Sequence, residues 1–134
     1  MKISYKPLSQ NQSTEPVQLI GKTIRSAQIN KDFTVVKLET HDGVNLYLDS
    51  GVFSSQVFKV KGLSLLLGSS IVKVEETTRK SFERSKTNNW FDILIHTHKG
   101  TFSLTYCNQV PDWILYIVCD DEYYRQETFR NFRF

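Results

Sequence analysis

The sequence predicts a mainly β protein, β-rich with one to three short helices, whose antiparallel strands form a partly open barrel or a two-layer sandwich. Three observations lead to this prediction: short segments in which apolar and polar residues alternate, glycine-containing turns between them, and a strand–hairpin unit that occurs twice. The chain has 134 residues, 40% hydrophobic and 23% charged, which is enough for one buried core. We therefore expect a single domain over residues 1–134 with about eight strands.

A motif that occurs twice is the main signal of internal organisation. Leu19-Ile-Gly-Lys-Thr-Ile24 recurs as Leu66-Leu-Gly-Ser-Ser-Ile71, and Thr-His-x-Gly follows downstream at Thr40–Gly43 and at Thr97–Gly100. We interpret the two stretches, about residues 15–50 and 62–108, as pseudo-repeats that arose by duplication. The alternative is a chance likeness between two strand–turn–strand units.

Each copy of the motif begins with a short helical turn that ends at a glycine. In the first copy Pro16 can occupy the first helical position, and Gly21 ends the turn in the left-handed conformation. In the second copy Leu63–Leu67 leads into Gly68 in the same way. The strands that follow these glycines are predicted over Thr23–Ile29 and Ser70–Glu76.

The second half of each copy predicts a β-hairpin. In the first copy a three-residue turn, with Gly43 in the left-handed conformation, places Val36 opposite Leu48. In the second copy a two-residue turn at Lys99-Gly100 places Ile93 opposite Tyr106. The two turns differ by one residue, so one hairpin contains a bulge or one of the two registers is wrong.

Residues 111–134 are predicted to form a further strand and a tail. Trp113–Cys119 is an apolar run whose aromatic and β-branched residues favour a buried strand, although periodicity does not exclude a helix. Tyr123–Phe134 carries aromatic and charged residues and fits either a short helix or an edge strand.

Charge and composition narrow the function classes. The net charge of +3 is compatible with an anionic partner without requiring one. The longest apolar run, Trp113–Cys119, is far shorter than the roughly 20 residues of a membrane-spanning helix. The first residues lack the apolar segment of a secretory signal, so we expect a cytoplasmic protein with Cys107 and Cys119 reduced.

The segment Thr77–Asn89 is the first candidate binding site. It is polar apart from Phe82 and is predicted to be a loop that separates the two halves of the second copy. It carries four basic residues against one acidic residue, with an aromatic ring available to stack or insert. The candidate partner-binding residues are Arg79, Lys80, Phe82, Arg84 and Lys86. The alternative is a loop whose charges only keep it soluble.

The C-terminal tail is the second candidate binding site. Arg130 and Arg133 alternate with Phe129, Phe132 and Phe134, and arginine and aromatic residues are enriched at interfaces. If the tail packs on its own sheet, these phenylalanines belong to the core instead.

The three histidines give a weaker metal alternative. His96 and His98 lie two residues apart on a predicted strand, so that both rings would project from one face, and His41 or Cys107 would be a third zinc ligand. The alternative is that they are solvent-facing polar residues near turns. No nucleotide-binding glycine motif, catalytic serine motif or paired-histidine zinc motif is present, so no cofactor is expected.

The segments Leu19–Glu76 and Asp92–Tyr106, with L-I-G-x-x-I recurring as L-L-G-x-x-I and followed by Thr-His-x-Gly, resemble small phage, prophage and bacterial proteins of unknown function. The resemblance covers about half of the chain and implies an accessory protein of a mobile element that acts by binding. It brings no catalytic or binding residues with it.

The function expected from these observations is that of a small non-enzymatic binding protein, an inhibitor or adaptor whose partner is a protein or an anionic macromolecule. The first alternative is a protein that binds or sequesters a small, nucleotide-type ligand in a cavity between repeats or subunits. The second alternative is a metal-dependent hydrolase that uses His96 and His98. Exposed strand edges would favour a homo-oligomer.

Overall fold

The computed structural model describes residues 2–4, 19–49, 56–83, 86–108, 114–118 and 121–132. Ten strands and two short helices lie in these ranges. In chain order they are β1 (Lys2–Ser4), β2 (Ile24–Asn30), β3 (Val35–Thr40), β4 (Asn45–Asp49), β5 (Gln56–Lys61), α1 (Leu63–Leu66), β6 (Ile71–Glu83), β7 (Lys86–Thr97), β8 (Gly100–Asn108), β9 (Ile114–Val118), α2 (Asp121–Tyr124) and β10 (Phe129–Asn131).

The strands form two sheets, each built on four antiparallel strands. One sheet has the order β1-β9-β4-β3-β2-β10 and the other the order β5-β8-β7-β6. The short edge strand β1 is parallel to β9, and the short edge strand β10 is antiparallel to β2. The predicted β-rich fold is confirmed as a two-layer sandwich, and no closed barrel occurs in the described ranges.

Alternation along the strands places one face of each sheet in a shared core. In β7, for example, Phe91, Ile93 and Ile95 are buried, whereas Asp92 and Leu94 between them are partly exposed. This is the period of two expected for a strand with one buried face. The core cluster draws on both sheets and consists of Leu19, Ile24, Ala27, Ile29, Val36, Leu38, Leu46, Leu48, Leu66, Ile71, Phe91, Ile93, Ile95, Phe102, Leu104 and Tyr106.

A second, smaller cluster covers the outer face of the larger sheet. Tyr47 of β4 stacks on Tyr124 of α2 with ring centroids 4.2 Å apart, and Phe129 of β10 packs beside them. The Tyr124 hydroxyl donates a 2.6 Å hydrogen bond to Asp49. These contacts hold the C-terminal part of the chain against the sheet.

The two L-x-G-x-x-I segments contact each other symmetrically. The Gly21 amide donates to the Ile71 carbonyl and the Gly68 amide donates to the Ile24 carbonyl, both at 2.8 Å. Strands β2 and β6 are both bulged at their first residues, between Ile24 and Ser26 and between Ile71 and Lys73. The duplication stays a prediction, which these equivalent contacts support.

The hairpin predicted in the first copy is confirmed. Val36 pairs with Leu48, and the Thr40 amide donates to the Val44 carbonyl, which closes a three-residue turn. Gly43 has a φ of 84°, the predicted left-handed conformation.

The register predicted for the second hairpin is wrong by two residues. Ile93 pairs with Leu104 rather than with Tyr106, because the turn residues are His98 and Lys99 and Gly100 begins β8. Leu65 of α1 packs directly on Gly100, where an added Cβ would lie 3.1 Å from the Leu65 Cδ1 atom. Gly100 also has a φ of 147°, so both its backbone conformation and its packing against α1 favour glycine.

The remaining predicted elements are mostly confirmed. Trp113–Cys119 contains strand β9, and the turn before Gly68 is helix α1. The tail contains both a helix, α2, which begins after Asp120, and an edge strand, β10. The helical turn expected around Pro16 lies outside the described residues.

Candidate functional site

The segment predicted to be a loop, Thr77–Asn89, is instead part of a long β-hairpin, so the loop prediction is wrong. Strands β6 and β7 pair without interruption from Lys73 opposite His96 to Glu83 opposite Lys86. Polar cross-strand contacts replace apolar ones here: Trp90 Nε1 donates to Ser81 Oγ at 2.7 Å. Strands are predicted from alternating apolar and polar residues, so a strand with polar residues on both faces is not detected in this way.

The end of this hairpin projects beyond the sheet. Pairing of β7 with β8 ends at Asn89 opposite Asn108. The last pairs of β6 with β7, from Ser81 opposite Asn88 to Glu83 opposite Lys86, have no third strand beside them in the described ranges. The two-stranded end of the hairpin therefore begins at Ser81 opposite Asn88, whereas Arg79 and Lys80 lie where β8 still pairs with β7.

The predicted partner-binding residues of this segment are distributed over both faces of the β6–β7 hairpin. Arg79 and Lys80 are both exposed and, as neighbours on a strand, point to opposite faces. Phe82 lies in β6 opposite Thr87, and Lys86 begins β7. Arg84 lies outside the described residues.

Arg79 is the best defined of these residues. Its guanidinium carbon lies 5.1 Å from the centroid of the Trp90 ring, and its Nε atom lies 3.8 Å from Asp92 Oδ2. The guanidinium remains largely exposed, with 60% of its side-chain surface accessible. The sequence placed Arg79 at the site but contained no signal for its pairing with Trp90, which depends on the hairpin register.

The second candidate site, the tail, is split between core and surface. Phe129 packs on Tyr47 and Phe132 packs against the main core, so the core interpretation holds for both rings. Arg130 is exposed, and its guanidinium lies 5.1 Å from the centroid of the Phe33 ring. It belongs to β10, at an edge of the other sheet from the hairpin, and Arg133 lies outside the described residues.

The predicted histidine pair is not formed on one strand face. His96 lies on β7, but β7 ends at Thr97 and His98 is in the turn, because the turn is one residue earlier than predicted. His41 is an exposed turn residue. Within the described residues no group of three or more histidine, cysteine or acidic side chains could hold a metal ion.

His96 instead belongs to a hydrogen-bonded group on the outer face of the smaller sheet. One ring nitrogen, Nε2, lies 2.5 Å from Glu75 Oε1, and the other, Nδ1, lies 2.7 Å from Thr101 Oγ1. The hydrogen bond from His96 lowers the pKa of the Glu75 carboxyl, with a smaller contribution from the nearby charge of Lys73. These hydrogen bonds connect side chains of β6, β7 and β8 across this face of the sheet.

An open cleft that the sequence did not single out lies at the end of the sandwich. It has a volume of about 390 Å³ and is lined by Ile20, Gly21, Lys22, Thr23, His41 and Asp42. The Lys22 ammonium lies 3.2 Å from Asp42, whose pKa is lowered by hydrogen bonds from Thr40 and then from Lys22. The L-x-G-x-x-I and Thr-His-x-Gly motifs of the first copy both contribute residues to the cleft, and their recurrence is the sequence signal that could have located it.

No protein-family model matches the chain, and neither curated proteins nor solved structures gave a significant match. Among the described residues, no helix combines the length and apolar character needed to span a membrane.

Proposed function

We propose that the chain is a non-enzymatic binding protein, an inhibitor or adaptor, whose β6–β7 hairpin binds an anionic macromolecular partner. The observation that supports the proposal is the β6–β7 hairpin that carries the basic segment and whose end, beyond Lys80 and Asn89, has no third strand beside it in the described ranges. Residues 77–89 hold four basic residues and one acidic residue, and the resulting +3 equals the net charge of the whole chain. The rest of the protein is therefore electrically balanced.

The geometry of the hairpin favours such a role. Charges on a projecting element meet a partner before the rest of the surface does, and they attract an opposite charge over about 10 Å at ordinary ionic strength. A ribbon of two strands also presents its charges on a framework held by backbone hydrogen bonds. Little side-chain and backbone freedom then remains to be lost on binding.

The test compares two variants with the same change in charge. The hairpin variant replaces the four basic residues of the hairpin by glutamine, and the control variant replaces four exposed basic residues elsewhere. These sets are Arg79, Lys80, Arg84 and Lys86 for the hairpin variant, and Arg25, Lys31, Lys99 and Arg125 for the control variant. Binding of a fluorescent DNA duplex, a single-stranded oligonucleotide and a polyglutamate peptide is measured by anisotropy at two salt concentrations.

We expect the wild-type protein to bind at least one of these anionic probes with an affinity that falls as salt rises. The hairpin variant should lose at least about tenfold in affinity and show a flatter salt dependence, because fewer counterions are released on binding. The control variant should stay close to wild type. A wild-type protein that binds none of the probes, or two variants that behave alike, would refute the proposal.

A small-ligand function is the second candidate, and the cleft beside Lys22 is the observation that favours it. The cleft is not lined by the aromatic residues and arginine expected for a nucleotide site. A panel of nucleotides tested by thermal shift separates the two functions, since a ligand at about 100 times its Kd adds roughly 2.7 kcal/mol of stability. No shift with any nucleotide removes this candidate.

Three narrower expectations belong to the same proposal. A role as an accessory protein of a phage or other mobile element is supported by the resemblance of the repeated motif alone. A cytoplasmic location and a homo-oligomeric state also stay predictions, the latter consistent with β6 having no second neighbour strand in the described ranges. The metal-dependent hydrolase alternative has no further support from the positions of His96 and His98.

A further inference from the structure

The outer face of the smaller sheet forms a regular grid of side chains that continues from the basic hairpin. Residues paired across the strands share a face, so the pairings define rows that cross the sheet from β5 to β6. In order, the rows are Cys107–Trp90–Arg79, then Lys59–Thr105–Asp92–Thr77, then Lys61–Ser103–Leu94–Glu75, and finally Thr101–His96–Lys73. Within the described residues, neither helix packs on this face.

Both edges of the grid carry basic side chains, and on β6 the acidic Glu75 lies between them. Lys59 and Lys61 on β5 are exposed, and Lys73 and Arg79 lie on β6 at the opposite edge. Neighbouring strands are about 4.8 Å apart, so the two edges are about 14 Å apart. The middle of the face is therefore a strip flanked by the two lysines of β5 on one side and by Lys73, Glu75 and Arg79 of β6 on the other.

The carboxylates of the face are already engaged by neighbouring side chains. Glu75 contacts His96 at 2.5 Å, and its other oxygen lies 3.5 Å from Lys73 Nζ. Asp92 accepts a 2.6 Å hydrogen bond from Thr105 and a 3.2 Å hydrogen bond from Thr77. These interactions offset part of the repulsion that an anionic ligand would otherwise meet.

A stacked pair of planar groups lies at the hairpin end of the strip. The indole of Trp90 is fixed by its hydrogen bond to Ser81, and the guanidinium of Arg79 lies over the ring. The accessible side of that guanidinium offers a flat cationic surface on which another planar ring can stack. The pair is held in place before any ligand arrives, which reduces the entropy lost on binding.

We propose that this face binds single-stranded nucleic acid, with a base stacked on the Arg79–Trp90 pair and phosphates along the lysines of β5. The inference rests on the proposed function, because it extends the basic hairpin site and names the class of its partner. Unpaired bases have exposed planar faces, and stacking on aromatic and arginine side chains is the usual way in which proteins hold them. An acidic peptide supplies the charge but no planar ring, and a duplex keeps its bases stacked inside.

The test measures binding of fluorescent twelve-nucleotide oligothymidine and oligouridine, of a twelve-base-pair DNA duplex and of a polyglutamate peptide. We expect the wild-type protein to bind a single strand more tightly than the duplex or the peptide. Trp90→Ala should weaken single-strand binding about tenfold and change peptide binding less than about twofold, because each stacked base contributes substantially to affinity. Trp90→Phe should restore most of the lost affinity. The two oligonucleotides show whether DNA or RNA is preferred.

A second variant avoids any dependence on the folding of Trp90→Ala. Lys59→Glu with Lys61→Glu alters only exposed side chains of β5 and should weaken single-strand binding at least about fivefold. Its control, Lys31→Glu with Arg125→Glu, carries the same change in charge away from this face and should bind as wild type does.

Two results overturn the inference. If the protein binds the duplex or the peptide through the hairpin but binds single strands no better, the proposed function stands and the inference falls. The inference also falls if Trp90→Phe binds single strands as weakly as Trp90→Ala does and the β5 lysine variant binds them as tightly as its lysine control does. If none of the anionic probes binds, the proposed function and the inference both fall.

Discussion

Gly62, the residue that precedes α1, is predicted to be the glycine of the fold least tolerant of an added methyl group. Its φ of 77° lies in the left-handed region, and an added Cβ would lie 2.6 Å from the Thr101 carbonyl oxygen and 3.3 Å from Leu65 Cδ1. The carbonyl belongs to β8, which is paired on both sides with β5 and β7 and cannot move freely. The left-handed conformation costs about 1–2 kcal/mol for alanine, and forcing extra volume into a packed site adds about 1–3 kcal/mol.

We therefore expect Gly62→Ala to lower the free energy of unfolding by about 2–5 kcal/mol, measured by urea unfolding followed by circular dichroism. Gly43→Ala is the matched control, because Gly43 has a φ of 84° and no atom lies within 4 Å of an added Cβ. This control should lose only the conformational part, about 1–2 kcal/mol. If the two variants agree within about 0.5 kcal/mol, β8 adapts to the methyl group and the packing argument is wrong.

Two further predictions concern hydrogen bonds to carboxylates. Tyr124→Phe removes a 2.6 Å bond to the buried Asp49 and should lower the free energy of unfolding by about 1.5–3 kcal/mol in urea. Tyr47→Phe, whose acceptor is an exposed carboxylate, should lose less, and equal losses would contradict the role of burial. Because the His96 hydrogen bond lowers the pKa of Glu75 below its ordinary 4.5, the stability from this carboxylate is present above pH 4.5 and is lost as pH falls through the lowered value. In His96→Ala the carboxyl titration followed by NMR should move back toward 4.5, and an unchanged midpoint would show that another group lowers it.

Features set by local sequence were predicted correctly. The register of the first hairpin depends on Gly43 and on apolar residues such as Val36 and Leu48, all within one short segment. The pattern of alternation and the turn residue agree there, so only one register satisfies both. Strand β9 was predictable for a similar reason, since β-branched and aromatic residues dominate its sequence.

Features set by distant contacts were not predictable in this way. In the second hairpin the turn lies at His98 and Lys99, and Leu65 from another element packs on Gly100, a contact that the sequence of the hairpin alone does not show. The end of the β6–β7 hairpin lacks the buried alternation that indicates strands, because residues such as Arg79 and Lys80 are exposed on both of its faces. The basic site could thus be located from charge, but its shape and the Arg79–Trp90 pair required the strand register.

The connections of β5 and β9 explain how the hairpin is supported. Strand β5 follows β4 in the chain but pairs with β8 of the opposite sheet, and β9 follows β8 but pairs with β4. The four antiparallel strands of each sheet thus include one strand, β9 or β5, that comes from the other half of the sequence. Val57 and Val60 of β5 pack against the shared core. Because the sheet that carries the hairpin is completed by β5, its geometry depends on both halves of the chain. The lysines of β5 and the arginine of β6 lie on one face only because of this exchange, so a nucleic-acid site there would be a property of the whole sandwich and of neither half alone.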